Sequence, residues 1–213
     1  MNPARSRRRS TGFCMADWDD DSSQLRDNLA RVLRGTRDDA HRRRPPSLET
    51  ARQWHVEIMQ GLDLPAPKYA GAFRGESGLE QVQVRIDGHY GTPARRVAAE
   101  LQDFESVLQR VIARLDELIP KDAEPDSDQL AAIIEVCAWA HAEWVRIHPF
   151  ANGNGRTARL WVNSIAMRYG VPPFLSLRPR PAESYPSVCA KAMQGDWEST
   201  VPAFLEFLSQ FCE

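Results

Sequence analysis

His148-Pro149-Phe150-Ala151-Asn152-Gly153-Asn154-Gly155-Arg156-Thr157-Ala158-Arg159 joins two long stretches of helical apolar periodicity. Upstream, Leu130, Ile133, Ile134, Cys137 and Trp144 mark a long, largely buried helix, opened by the break and cap of Pro125, Asp126 and Ser127. Pro149 disfavours the helical conformation in the residue before it, which sets the end of that helix. Gly153 and Gly155 form a tight loop. A second helix then runs from about residue 156 to 169, with Leu160, Trp161, Ile165 and Ala166 facing inward and Gly170 at its C-cap. Two apolar helices meeting at a glycine loop predict an α-helical core built around that loop.

Farther out the pattern stays helical. Val97, Leu101, Phe104, Leu108, Val111, Leu115 and Leu118 keep a 3.6-residue spacing until Pro120. Ser47 with Thr50 next to Glu49 suits a helix start, and Trp54, Ile58, Met59 and Leu62 form its buried stripe before Gly61, Pro65 and Pro67 end it. Between these helices Val82, Val84 and Ile86 alternate with polar residues, and Asp87-Gly88 is a favoured turn pair, so residues 82–93 read as a β-hairpin returning at Tyr90. Beyond Pro172-Pro173, helices around residues 181–194 and 197–211 finish the chain. The fold class is all-α with one short β-hairpin. Two regions follow: residues 1–46, an arm plus a short amphipathic helix through Leu25, Leu29, Val32 and Leu33, and residues 47–213, the main domain.

The chain's 213 residues suffice for one sizeable core, and 42% hydrophobic with 26% charged residues is ordinary for a soluble protein. A net charge of -2 exerts no general pull on nucleic acid or anionic membrane. The arginines at 5–9 and 42–44 lack interleaved aromatics and lie outside the expected core, so a nucleic-acid partner is not expected. No apolar run nears the length of a membrane span. The basic N-terminus has no apolar segment behind it, as a secretory leader would, and Met15 reads as an alternative start. Cys14, Cys137, Cys189 and Cys212 are far apart and form no C-x-x-C pair, which fits free thiols and a cytoplasmic location.

A glycine loop opening a helix presents free N–H groups at the positive end of the helix dipole, which makes an anion site. Arg156 and Arg159, three apart, share one side of the first turn. Two arginines there oppose the dipole and repel each other, and a bound polyphosphate removes both objections. His148, titrating near neutrality, is placed to act as general base. Each feature alone has an ordinary explanation as a turn, a helix-end histidine or surface arginines. Their union in one loop between apolar helices points to chemistry on a polyphosphate.

The run resembles the motif of the Fic domain family, within the Fic/Doc superfamily, whose pattern is H-P-F-x-(D/E)-G-N-G-R-x-x-R. This sequence matches it everywhere but Asn152, and the resemblance covers residues 50–211. It implies AMPylation: transfer of AMP from ATP to a Ser, Thr or Tyr hydroxyl of a target protein. By the same resemblance, His148 deprotonates the target hydroxyl and Phe150 anchors the loop. The backbone of Gly153, Asn154 and Gly155, with the Asn154 side chain, holds phosphate oxygens. Arg156 holds the β-phosphate and Arg159 the terminal one. The hairpin is a target-binding flap, with Val84, Ile86, Gly88 and His89 as its contact residues.

Asn152 stands where the family's acid binds Mg²⁺ (Mn²⁺ being the other candidate cofactor). A neutral amide oxygen ligates a hard cation with less attraction. Three outcomes stay open: weaker metal binding, altered donor or metal dependence, or lost catalysis. The family's inhibitory pattern (S/T)-x-x-x-E-(G/N) is absent from both termini, which leaves a separate antitoxin protein or an unguarded enzyme. A Doc-type kinase carries lysine where this chain has Gly155. Transfer from another pyrophosphate donor, and a nucleotide- or partner-binding module without turnover, are the remaining alternatives. Delivery into another cell is compatible with all of them.

Overall fold

Asp126 caps the helix that delivers the loop. Its carboxylate accepts from Gln129 N–H (2.9 Å) while the Gln129 side-chain oxygen accepts from Asp126 N–H (3.0 Å), a reciprocal capping box. The computed structural model describes residues 22–86, 88–181 and 184–212. The arm before Ser22, with Cys14, Met15 and the arginines at 5–9, and Asp87 of the expected turn lie outside the described residues. In chain order the elements are α1 (Ser23–His41), α2 (Leu48–Met59), β1 (Arg85–Ile86), β2 (His89–Tyr90), α3 (Ala94–Leu118), α4 (Ser127–Ile147), α5 (Asn154–Arg168), α6 (Tyr185–Met193) and α7 (Val201–Cys212). The two strands pair antiparallel, Arg85 opposite Tyr90 and Ile86 opposite His89.

α4 and α5 form the centre. Every residue of α5 except Gly155, Ser164 and Arg168 is buried, as expected of a helix surrounded by other elements. Trp144 of α4 and Trp161 of α5 meet edge to face at 5.8 Å, and Phe104 of α3 and Trp54 of α2 close on Trp161 at 5.7 and 4.8 Å. Truncating one of these rings to alanine removes a large buried surface, worth about 3–5 kcal/mol. Gly170 ends α5 with φ 78°, and Val171 N–H bonds back to the Ala166 carbonyl (3.0 Å).

Three expectations need adjusting. The N-terminal helix, read as short, runs nineteen residues, and its Leu25, Leu29 and Val32 join the same core cluster as α4 and α5. In α3 the buried stripe passes through Ile112 and Leu115 to Ile119, leaving Val111 half-buried and Leu118 exposed. Steps of four, three, four, four, three and four from Val97 hold the stripe on one face, and Val111 and Leu118 fall beside it. The hairpin strands are shorter than residues 82–93 suggested, because the Val82 carbonyl bonds to Arg74 and Val84 turns into the core.

Candidate active site

His148 ends α4 in the left-handed region (φ 54°, ψ 57°), so the chain reverses there and the imidazole faces a cavity at the loop. Its Nδ1 lies 3.0 Å from the Val145 carbonyl. A carbonyl only accepts, so Nδ1 carries the proton and Nε2 is left as a base. Burial lowers the His148 pKa to about 4, opposed by the Val145 bond and assisted by the nearby Arg74 charge. The ring is therefore neutral, the form a general base needs, at pH 7.

The loop is fastened from below. Phe150 is fully buried, stacked on His55 with ring centroids 3.8 Å apart. Gly71 N–H donates to His55 Nδ1 (2.9 Å), so Nε2 carries the hydrogen that His55 donates to the Asn152 carbonyl (3.0 Å). Asn154 was expected to hold phosphate with its side chain, and in the structure that side chain is engaged within the loop. Its Oδ1 accepts from Phe150 N–H and its Nδ2 donates to the Phe150 carbonyl, both at 2.8 Å. A primary amide matches both backbone groups of one residue, so this side chain clasps the turn. Gly153, with φ 79°, suits glycine: a side chain there would be strained, and its Cβ would crowd Met59, His55 and Arg156 at 3.0–3.2 Å.

The cavity measures about 240 Å³, well above the roughly 10–15 Å³ that admits one water, so it has room for more than solvent. Asn152, Gly153, Asn154, Gly155, Arg156 and Arg159 all line it together with His148. The N–H groups of Asn154 and Gly155 have no intrahelical partner and no backbone acceptor among the described residues. Arg159 is held rather than loose, donating through Nη1 to the Tyr185 hydroxyl (2.9 Å) and through Nη2 to the Leu177 carbonyl (3.0 Å). Each of those nitrogens carries a second hydrogen for a ligand. Asn152 Oδ1 accepts from Gly153 N–H at 2.6 Å, so the candidate metal ligand is turned into its own loop.

Arg178, Arg180 and Tyr185 also line the cavity and were missed by the sequence reading. Two basic residues flanking Pro179 after a double-proline break were the available signal. No Asp or Glu stands among the described lining residues. Of the flap residues, Ile86 lines the cavity, Gly88 is exposed and His89 is half-buried. Val84 is the exception: its side chain is 2% exposed and its carbonyl accepts from Gly91 N–H (3.1 Å), so it supports the hairpin from inside. Gly91 passes so near the base that a Cβ there would lie 2.7 Å from His148 Cβ.

Residues 45–166, more than half of the chain, match the model of the Fic/DOC family. This chain belongs to that family. The Fic domain here is similar to the protein adenylyltransferase Fic of Nematostella vectensis, 36% identical over 109 residues, which are 51% of this chain and 23% of that protein. The counterpart of Drosophila mojavensis is 35% identical over 169 residues, 78% of this chain and 28% of its own. The chain thus spans about a quarter of the curated relatives it matches. In fold it resembles the BepC protein of Bartonella tribocorum, solved with bound AMPPNP (TM-score 0.58, 17% identity, 88% of this chain and 87% of that one). It also resembles Fic-1 of C. elegans (TM-score 0.54, 25% identity, 88% of this chain and 51% of that one). Among the described residues of this Fic protein, no helix is long and apolar enough to cross a membrane.

Proposed function

We propose that this chain is a protein AMP transferase, moving AMP from ATP to a Ser, Thr or Tyr hydroxyl of a target protein. The observation that carries this reading is a cavity where a neutral imidazole, a helix N-terminus and arginines converge with no carboxylate among the described lining residues. The relatives named protein adenylyltransferase, and the AMPPNP bound by BepC, support the same donor and reaction.

His148 Nε2 takes the proton of the target hydroxyl as its oxygen bonds to the α-phosphorus. The bond from that phosphorus to the bridging oxygen breaks, and pyrophosphate leaves. The N–H groups of Asn154 and Gly155, with Arg156 and Arg159, meet the negative charge gathering on the leaving group. Arg159, fixed by Tyr185 and Leu177, is pre-aimed and needs little reordering. The hairpin offers the target a strand edge that fixes the hydroxyl without demanding a particular sequence.

A divalent cation, Mg²⁺ or Mn²⁺, would come with the nucleotide. The residues fit an ion shared with the phosphates rather than a protein cage. Asn152 brings one neutral oxygen, and no group of three His, Cys, Asp or Glu among the described residues could hold a metal. When bound, the ion neutralises phosphate charge. Cysteines in no disulfide, Cys137 and Cys212 among them, are in keeping with a cytoplasmic setting. A separate antitoxin protein that guards the enzyme would have the cavity mouth at the exposed Arg180 to occupy.

The deciding experiment incubates the protein and candidate targets with ATP radiolabelled at the α- or the γ-phosphate. Label from the α position alone is expected. Label from the γ position alone would make it a kinase. Label from neither, with ATP still bound, would favour the binding module, to which the inward-turned Asn152 lends its support.

A further inference from the structure

Arg74 is 1% exposed and forms no ion pair among the described residues, an unfavourable place for a charge unless its hydrogen bonds are complete. They are. Nε donates to the His148 carbonyl (2.7 Å), Nη2 to the carbonyls of Ile147 (2.8 Å) and Thr92 (2.7 Å), and Nη1 to that of Val82 (3.3 Å). Its backbone N–H adds a bond to the Pro149 carbonyl (2.7 Å). One residue therefore binds three successive carbonyls of the catalytic turn, at 147, 148 and 149, and the carbonyls at both stems of the hairpin, at 82 and 92.

The arrangement has a specific mechanical content. A guanidinium is a rigid planar fork, so the distances among its acceptors are fixed together. The carbonyls of Ile147 and His148 flank a residue in the left-handed region, and pinning both holds the backbone that aims the imidazole. Ile147 also ends α4, where orphan carbonyls and the negative end of the dipole favour a cation. Thr92 N–H further ties the hairpin exit to the Arg146 carbonyl (3.3 Å). No acid could replace the carbonyls as partner without releasing the hairpin from the turn.

We propose that Arg74 is the positioning residue that couples the target-binding hairpin to the general base, so that seating a target strand and aiming His148 are one linked event. This rests on the transferase reading for its consequence and on the geometry for its existence. Lysine at this position keeps the charge but loses the fork. Methionine loses both.

The test is peptide-resolved amide hydrogen exchange on the full chain, comparing wild type, Arg74→Lys and Arg74→Met. Arg43→Met serves as control, since Arg43 also binds two carbonyls, those of Ile119 and Pro120, at the end of α3. Residues 82–92 and 146–150 should exchange faster together, by about tenfold or more. α3 should stay protected, and the control should leave both segments unchanged. In the lysine protein the same pair should loosen, which keeps the test alive where methionine prevents folding.

The His148 titration reports the same loosening: burial is the largest cause of its low pKa, so a turn that opens should raise it from about 4 in both variants, and further in Arg74→Met, where the neighbouring positive charge also goes. In turnover, target KM should rise and kcat should fall by up to about 10²-fold with ATP affinity kept. Faster exchange in only one segment, a uniform rise across the molecule, or an unmoved His148 pKa in the methionine protein would overturn the coupling. A wild-type chain that transfers no AMP yet shows the paired exchange would defeat the assigned chemistry and leave the coupling standing.

Discussion

The Val145 carbonyl decides what His148 can do, because it takes the proton-bearing nitrogen and leaves the other as a base. With the pKa depressed to about 4 by burial, the rate on the acid side should stay level from neutrality down to about pH 5 and fall only near pH 4. A wild-type acid limb near the ordinary 6.5 would mean the ring is not enclosed in the working enzyme. His148→Ala should lose about 10²–10⁴-fold in rate while keeping ATP binding. At Asn152 the expected result is that Asn152→Asp tightens Mg²⁺ and raises the rate at low metal, since a carboxylate adds charge where a cation bridges phosphates. Initial rates against Mg²⁺ for both proteins settle it: an aspartate enzyme slower at every concentration would point to phosphate repulsion and altered chemistry. The motif's membership in the cavity was legible because its residues are contiguous. The clasp made by Asn154 was not, because an amide suits a phosphate and a backbone clasp equally well, and the 2.8 Å bonds to Phe150 appear only in the folded turn.

At the scale of elements, the hairpin is where a prediction bites. Gly91 N–H bonds to the Val84 carbonyl, so by alternation Arg85 and Tyr90 turn their backbone groups outward, one along each edge. Proline at such a position deletes an outward N–H and leaves the hairpin pairing intact. Of Arg85→Pro and Tyr90→Pro, the one on the edge that receives the target should raise target KM by about tenfold, with ATP affinity kept. An unchanged KM in both would remove the hairpin from target binding. Helices were readable where punctuation and period agreed: Ser47 accepts from Thr50 N–H, Asp126 makes its box, and Gly170 closes α5. What stayed hidden depends on partners remote in the chain. His55 meets the Asn152 carbonyl and Arg74 meets the hairpin and turn carbonyls, and carbonyls leave no residue-type signature to search for.

For the molecule as a whole, three buried histidines share one consequence. His55 and His141 are pushed down to about 3 and His148 to about 4, in each case chiefly by burial. Their folded values lie below the ordinary 6.5, so the unfolded chain takes up protons that the folded one refuses. Their stabilisation is complete above about pH 6.5 and is lost as pH falls through about 4 toward 3. Paired acids such as Glu76, Glu100 and Asp116, whose pKa values are also lowered, add to the loss only nearer pH 4 and below. Urea midpoints should therefore already fall between about pH 7 and about pH 5. A flat midpoint across that window would show that the imidazoles are not sealed. The left-handed backbone at His148 bears on how the protein can be handled. Glycine is at ease at φ 54° where histidine is not, so His148→Gly relaxes the main chain as it deletes the ring. The vacated space has the outline of imidazole and opens onto the cavity. Imidazole dissolved in the buffer could then be lent to the site, and the proposed AMP transfer would be switched on and off by dialysis.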